Sequence, residues 1–277
     1  MRLLATILSI AVICLVGCAS SQPITIRVMT YNIHHGKGMD GRIDLKRIAQ
    51  IIRDADADLV ALQEVDRGVK RTGRVDQPAV LAELTGMQAI FEKNIVYQGG
   101  EYGNAVLSRL PVEHYENHYL PKSLPNEQRS MLEVHVRVGG EKLIFFATHF
   151  DYHPDDGERL ASVAMLKELV EQRWSVPIIV AGDMNAPPNS QVVANVNTFL
   201  TDSFVVAGGS GFTYPADEPE RRIDYVMHTR HPCLRCVKHR VIAEPVASDH
   251  RPVLTTFEFV QDGLQPDQRA APPWRGT

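Results

Sequence analysis

The stretch Pro177-Ile-Ile-Val-Ala-Gly-Asp-Met-Asn185 joins a run of apolar, β-branched residues directly to two polar side chains, Asp183 and Asn185. Such a run, bounded by proline and glycine, predicts a short buried strand over residues 177–181. Polar residues that follow a buried strand lie where loops gather and where functional sites form. We therefore expect Asp183 and Asn185 to belong to a site at one end of a sheet.

The same order, an apolar strand followed by a polar residue, recurs along the chain. A single aspartate in this position usually caps the next turn, and a lone histidine is usually a structural residue. Turn chemistry does not explain the repetition of the pattern on so many strands. The polar residues concerned are Asn32, Glu64, Asn104, His149, Asp183, Asn185, Asp224, Asp249 and His250.

The spacing of strand and helix patterns predicts the architecture. One helical pattern begins at Asp44, and three others cover residues 76–84, 156–173 and 190–199. The segments between them have strand patterns, which outnumber the helical ones. Few, widely spaced helices favour two packed sheets with helices outside over a doubly wound sheet. No linker interrupts residues 24–260, so we predict one α/β domain there, followed by a loose polar tail at 261–277.

Composition excludes some classes of protein. The 277 residues are 44% hydrophobic and 22% charged, which is too apolar for a disordered chain. A net charge of −4 argues against a protein that binds nucleic acid over its whole surface. It leaves open an enzyme that contacts a few phosphates through a metal.

The N-terminus has the pattern of a targeting signal. Arg2 is followed by an apolar run over residues 3–16 that is too short to span a membrane. The run ends in Leu15-Val16-Gly17-Cys18, which resembles the lipobox of bacterial lipoproteins. We predict a signal peptide at residues 1–17, lipidation of Cys18 and a tether at 18–23. The protein is then anchored by its lipid in the bacterial cell envelope, at the outer membrane facing the periplasm; an ordinary secretory signal or an uncleaved anchor are the alternatives.

The strand-end residues lie in motifs that resemble, in order, those of the endonuclease/exonuclease/phosphatase superfamily. The resemblance extends over residues 26–259 and implies a deoxyribonuclease I-like, four-layer α/β sandwich, in which two packed, mainly antiparallel sheets are flanked by helices. The motifs are Thr30-Tyr31-Asn32-Ile33, Gln63-Glu64-Val65, Tyr102-Gly103-Asn104-Ala105, Thr148-His149-Phe150, Gly182-Asp183-Met184-Asn185, Arg222-Ile223-Asp224-Tyr225 and Ser248-Asp249-His250-Arg251-Pro252.

The resemblance implies metal-dependent hydrolysis of a phosphodiester or phosphomonoester by an activated water. Mg²⁺ (or Mn²⁺) is the implied cofactor, and hard oxygen atoms are the ligands it prefers. Glu64 is the first choice of ligand and Asp249 the second. Asn32 is expected to contribute an amide oxygen or a contact behind the direct ligands.

The catalytic roles are also taken from the resemblance. Asp183 would position and deprotonate the water, and Asn185 would hold the water or the phosphate. His250, oriented and charged by Asp224, is the other candidate for the base. His149 would bind the phosphate or give a proton to the leaving oxygen.

Three further residues are predicted to contact substrate: Asn104, Arg129 and His34. A salt-bridged surface arginine is an equal alternative for Arg129. His34 stands where some repair nucleases of the superfamily carry an aspartate, which disfavours a repair nuclease; it could line the pocket or bind a softer metal.

The substrate is left open between a lipid head group, an inositol phosphate and a nucleic acid. A basic segment at residues 67–74 follows the Glu64 strand and could contact any of them. The alternatives to a phosphoesterase of the envelope are a nuclease and a catalytically silent, ligand-binding lipoprotein. We expect a monomer, and Cys233 and Cys236 are equally compatible with free thiols and with a disulfide.

Overall fold

The computed structural model describes residues 23–123, 125–206 and 211–260, and every structural statement below refers to them. The predictions of a signal peptide, of Cys18 as a lipid anchor and of a C-terminal tail fall on residues 1–22 and 261–277, outside the described residues. No helix in the described part of the chain is long and apolar enough to cross a membrane.

The domain consists of two six-stranded sheets and four α-helices. The strands are β1 Ile24–Asn32, β2 Leu59–Arg67, β3 Gln88–Tyr97, β4 Gly100–Ser108, β5 Val112–Tyr119, β6 Ser130–Val138, β7 Glu141–His149, β8 Ile178–Asp183, β9 Thr201–Asp202, β10 Asp224–His228, β11 Leu234–Val241 and β12 Val253–Phe259. The helices are α1 Leu45–Asp54, α2 Gln77–Thr85, α3 Gly157–Gln172 and α4 Gln191–Val196.

Three apolar layers hold four layers of secondary structure together. Between the sheets, Val28 and Leu59 of one sheet pack in a common core with Phe145 and Ile179 of the other. The outer face of the first sheet packs against α1 and α2, and that of the second sheet against α3 and α4. The predicted four-layer α/β sandwich is confirmed.

Each sheet has a parallel pair of strands near its centre, and its other pairings are antiparallel. The first sheet has the order β11-β12-β1-β2-β4-β3, with β1 parallel to β2, and the second has the order β5-β6-β7-β8-β10-β9, with β7 parallel to β8. Carboxyl ends of parallel neighbours lie at the same edge of a sheet. In this register Asn32 pairs with Gln63, and His149 pairs with Asp183. The polar residues that end these strands therefore meet.

The predicted helices are present, and aspartates cap the first two of them. Asp44 accepts a hydrogen bond from the backbone nitrogen of Arg47 at 3.0 Å, and Asp76 accepts one from that of Ala79 at 3.0 Å. These side chains satisfy backbone donors at the helix N-termini that have no partner within the helix.

Two features of the strands were not predicted. β2 extends past Glu64 to Arg67, because it contains a bulge between Leu62 and Val65 that keeps it paired with β4. No disulfide joins the two described cysteines: Cys233 is buried directly before β11, and Cys236 lies beside a bulge in that strand.

Candidate active site

The carboxyl ends of the central strands from both sheets enclose one side of a cavity of about 360 Å³. Charged, amide and aromatic side chains form most of its wall. The lining residues are Glu64, Tyr102, Glu127, Arg129, His149, Tyr152, Asp183, Asn185, Tyr214, Arg221, Ile223, Asp249 and His250.

Asn32 joins the two sheets by contacting two of these lining residues. Its amide nitrogen lies 3.1 Å from Oε1 of Glu64 and 3.2 Å from Oδ2 of Asp183. Its amide oxygen accepts a hydrogen bond from the backbone nitrogen of His34 at 3.1 Å. Of the two predicted roles of Asn32, this orientation supports a contact behind the direct metal ligands, since the nitrogen faces the carboxylates.

Glu64 owes its position to the bulge in β2. Its backbone has a φ of +60°, which residues other than glycine adopt at a cost and which is common at functional sites. The bulge turns this one side chain into the cavity, whereas its strand neighbours Gln63 and Val65 are buried.

Asp249 is brought to the same side by the segment that follows β11. Ser248 donates a hydrogen bond from its hydroxyl to the backbone oxygen of Asn32 at 2.7 Å, which fixes this segment to the end of β1. Nδ1 of His34 lies 3.7 Å from Oδ1 of Asp249, and His34, His35 and Glu64 place one ligand atom each within 4.8 Å of one another. These carboxylates and imidazoles are a donor set that fits a divalent cation.

His250 is held by a carboxylate on one nitrogen and faces another with its second nitrogen. Nδ1 lies 2.9 Å from Oδ2 of Asp224, and Nε2 lies 3.7 Å from Oδ2 of Asp183. Burial acts to lower the pKa of His250, but the charges of Asp224 and Asp183 outweigh it and raise the pKa to about 10. His250 is therefore an imidazolium at neutral pH.

Asp183 is buried at the centre of the site. Its Oδ1 accepts a hydrogen bond from the backbone nitrogen of Asn185 at 2.9 Å. Burial and the charge of Asp224 raise the pKa of Asp183 to about 7, against the opposing effect of His250. A carboxylate with a pKa near neutrality can accept a proton.

Arg129 and His149 form a pair on the opposite wall. Arg129 is only 5% exposed, so it is not a surface arginine, although it also forms an ion pair with Glu127 at 3.1 Å. Its Nη1 lies 3.0 Å from Nδ1 of His149, whose Nε2 lies 3.5 Å from Oδ2 of Asp183. Burial and the neighbouring charges of Arg129 and His250 lower the pKa of His149 well below its usual value. The imidazole is neutral, and with Nδ1 accepting from the arginine its proton lies on Nε2.

Asn104 and the basic segment are placed differently from the other candidates. Asn104 is fully buried behind the cavity, and its amide nitrogen donates to the backbone oxygen of Ser130 at 3.1 Å. In the basic segment, Arg71 makes hydrogen bonds of 2.8 and 2.9 Å to buried Asp66, and Arg67 pairs with Glu101. These two positive charges are already engaged by carboxylates.

Sequence reasoning missed several residues of the wall. Glu127 and Tyr102 lie within two residues of predicted site residues, and proximity to Arg129 and Asn104 was the available signal. Tyr214 and Arg221 come from the loop before β10, where no periodic pattern pointed to a site.

Comparison with known proteins identifies the family of this chain. The model of the endonuclease/exonuclease/phosphatase family matches residues 29–250. The chain belongs to this family. Its members are, in general, hydrolases that act on phosphate esters, and the matched range contains the cavity and its polar wall.

Individual proteins and solved structures resemble this chain over most of its length. The uncharacterised protein YbhP of Escherichia coli K12 is 30% identical over 219 residues, which cover 74% of this chain and 85% of that protein. A solved endonuclease/exonuclease/phosphatase structure from Beutenbergia cavernae is 27% identical with a TM-score of 0.69, covering 85% of this chain and 72% of that one. A mannosyl-6-phosphatase of Bacteroides thetaiotaomicron has the same fold, with a TM-score of 0.71 at 19% identity, covering 84% of this chain and 100% of that one.

Proposed function

We propose that this protein is a metal-dependent phosphoesterase that cleaves a phosphodiester or phosphomonoester by attack of an activated water. The observation that carries the proposal is the contact of Asn32 with both Glu64 and Asp183. It places a carboxylate suited to a metal and a carboxylate suited to a base beside the same amide nitrogen.

The metal would be held by Glu64 and Asp249, with Asn32 orienting Glu64 from behind. Both carboxylates line the cavity and supply the hard oxygens that Mg²⁺ or Mn²⁺ prefers. When bound, such a cation stabilises negative charge on the phosphoryl oxygens.

Side chains of the protein supply the base and the groups that stabilise charge on the phosphate. Asp183 is the better base, because its pKa is raised to about 7 whereas that of His250 is raised to about 10. The imidazolium of His250 then stabilises charge on a phosphoryl oxygen. Neutral His149 donates a hydrogen bond from Nε2 to the phosphate and is not a proton source at neutral pH, and Arg129 adds a buried positive charge beside it.

The size of the cavity and the ion pairing of the nearby arginines favour a compact substrate. The cavity is small, and Arg67 and Arg71 of the adjoining basic segment are held by carboxylates of the protein. A groove that follows a nucleic-acid backbone needs cations that are free to meet successive phosphates. We therefore favour a lipid head group or an inositol phosphate over a nucleic acid.

Metal removal tests the proposal. We expect EDTA to abolish hydrolysis of bis-p-nitrophenyl phosphate and Mg²⁺ or Mn²⁺ to restore it. Glu64→Gln should raise the metal concentration needed for half-maximal activity by at least about 10–100-fold, the loss typical of removing even an indirect partner of a metal. Glu258→Gln, which removes the partly exposed ion-pair partner on β12 of the exposed Arg235, is the matched control and should behave like the wild type.

A catalytically silent, ligand-binding protein gives a different result. Wild type and Glu64→Gln would then be equally inactive on a panel of phospholipids, inositol phosphates, nucleotide monoesters and DNA with either metal. That outcome would overturn the assignment as an enzyme.

We further propose that the domain is a monomer tethered by a lipid on Cys18 to the bacterial envelope, at the outer membrane facing the periplasm. The support is the sequence Leu15-Val16-Gly17-Cys18 after an apolar run. In cells fed radioactive palmitate we expect the wild type to be labelled and Cys18→Ser to be unlabelled. Equal labelling of the two proteins would rule out this anchor.

A further inference from the structure

A second group of histidines and carboxylates lies on the outer face of the second sheet. Side chains two residues apart on a strand point to the same face, so His114, Glu116 and His118 of edge strand β5 share a face. On β6, Glu133 and His135 share the same face, because Glu116 pairs with Glu133 and His114 with His135 in the antiparallel register. The catalytic cavity opens at the strand ends and includes none of these residues.

Glu133 is the centre of this group and is only 1% exposed. Its Oε2 lies 2.7 Å from Nε2 of His118, and its Oε1 lies 2.6 Å from Nε2 of His135. Arg173, directly after α3, places Nε 2.6 Å from Oε1. Two imidazoles and a guanidinium thus converge on one buried carboxylate.

Its ion pairs explain why Glu133 is buried, but they do not explain why Glu116 lies opposite it. Like charges directly opposite each other on antiparallel strands destabilise a sheet, and Glu116 stands directly opposite Glu133. One ligand atom each of Glu116, His118 and Glu133 lies within 4.8 Å of the others. A second carboxylate held this close to a buried one favours a bound cation.

We propose that Glu116, His118 and Glu133 form a second metal site, separate from the catalytic one, for a divalent transition-metal ion of the Zn²⁺ type. Imidazole and carboxylate ligands suit Zn²⁺ better than Mg²⁺, which prefers oxygen alone. Two carboxylates against the single charge of Arg173 leave a net negative charge for the cation. Ligand atoms around a tetrahedral Zn²⁺ stand roughly 3.3 Å apart, so the 2.7 Å contact of His118 with Glu133 needs to open by only roughly 0.6 Å.

The site would act on the stability of the fold. β5 is the edge strand of the second sheet, and an edge strand is paired on one side only. An ion with ligands on β5 and β6 would fix this strand to its neighbour. It would also hold Glu133 in the position where Arg173 anchors the end of α3.

Calorimetric titration with Zn²⁺ tests the site. The full domain, stripped of metal, is titrated in millimolar Mg²⁺, which competes for the oxygen ligands Glu64 and Asp249 of the catalytic site. We expect a binding event that Glu116→Gln and His118→Asn weaken by at least about 10–100-fold and that persists unchanged in Glu64→Gln. Glu113→Gln is the matched control, since Glu113 lies on the same strand and pairs instead with Arg137.

Thermal unfolding gives a second measurement that does not depend on activity. Zn²⁺ at a hundredfold excess over its Kd should raise the Tm of the wild type by roughly 5–10 °C and raise that of Glu116→Gln much less. Glu116 is exposed, so its replacement keeps the test valid if His118→Asn fails to fold. Zn²⁺ binding and Tm shifts that are the same in Glu116→Gln as in the wild type would overturn the proposal, as would a binding event lost only in Glu64→Gln.

Discussion

Asp183→Asn is expected to lower kcat by about 10²–10⁴-fold, the usual contribution of a positioned general base. Asparagine keeps the shape of the side chain and cannot accept the proton of the attacking water. Folding should not suffer: since the pKa of Asp183 is raised to about 7, its ionisation above the unfolded pKa of about 4 opposes folding, and this cost is absent in the variant. Steady-state kinetics and urea unfolding of the same preparations measure both effects.

Asp202→Asn is the matched control for this variant. Asp202 is also a largely buried aspartate of the second sheet, but its partner is Arg222 at 2.6 Å. We expect this replacement to destabilise the fold by roughly 1–3 kcal/mol and to leave kcat nearly unchanged. If Asp183→Asn retained wild-type kcat, Asp183 would not be the base.

The second large effect is expected from Asp224→Asn, through the pH dependence of kcat/KM. In the wild type, activity should rise with pH as Asp183 ionises near 7 and fall as His250 loses its proton near 10. Asp224 raises the pKa of both groups, because its negative charge opposes ionisation of one and favours protonation of the other. Its removal should therefore move both limbs of the profile to lower pH, by about 1–3 units each.

The maximal rate of Asp224→Asn should also fall, because the imidazole loses the carboxylate that orients it. In serine proteases the corresponding loss is up to about 10⁴-fold. A purely structural role for Asp224 would lower the rate without moving the limbs. If the pH profile of Asp224→Asn kept both limbs at their wild-type pH, the proposed roles of Asp183 and His250 would be wrong.

The site residues differ in how far local sequence could identify them. Asp183 and His149 end apolar strands, and a strand of this kind carries its own signal in its composition and in the glycine or threonine before the polar residue. Glu64 was found in the same way, although its strand does not end there. Its exposure to the cavity depends on a bulge that only pairing with β4 reveals.

Local sequence did not decide the position of Arg129. From sequence it could equally be a surface arginine or a phosphate ligand, since an arginine at a strand start has no periodic signature. Burial beside His149 decided the question, and this contact joins β7 to the loop before β6 across 20 residues. Tyr214 and Arg221 enter the cavity from a loop, and loop positions are set by long-range contacts that the sequence does not display locally.

The sequence by itself determined the two-sheet architecture and identified several of the polar residues that line the cavity, because periodicity and local composition report burial directly. The tertiary structure decided which of these residues meet and in which protonation state. The pKa of Asp183 is raised to about 7 and that of His250 to about 10 because one amide, two carboxylates and one imidazole from both sheets are packed together. Desolvation and charge–charge distances are properties of that packing, and neither can be read from residues that lie far apart in the chain.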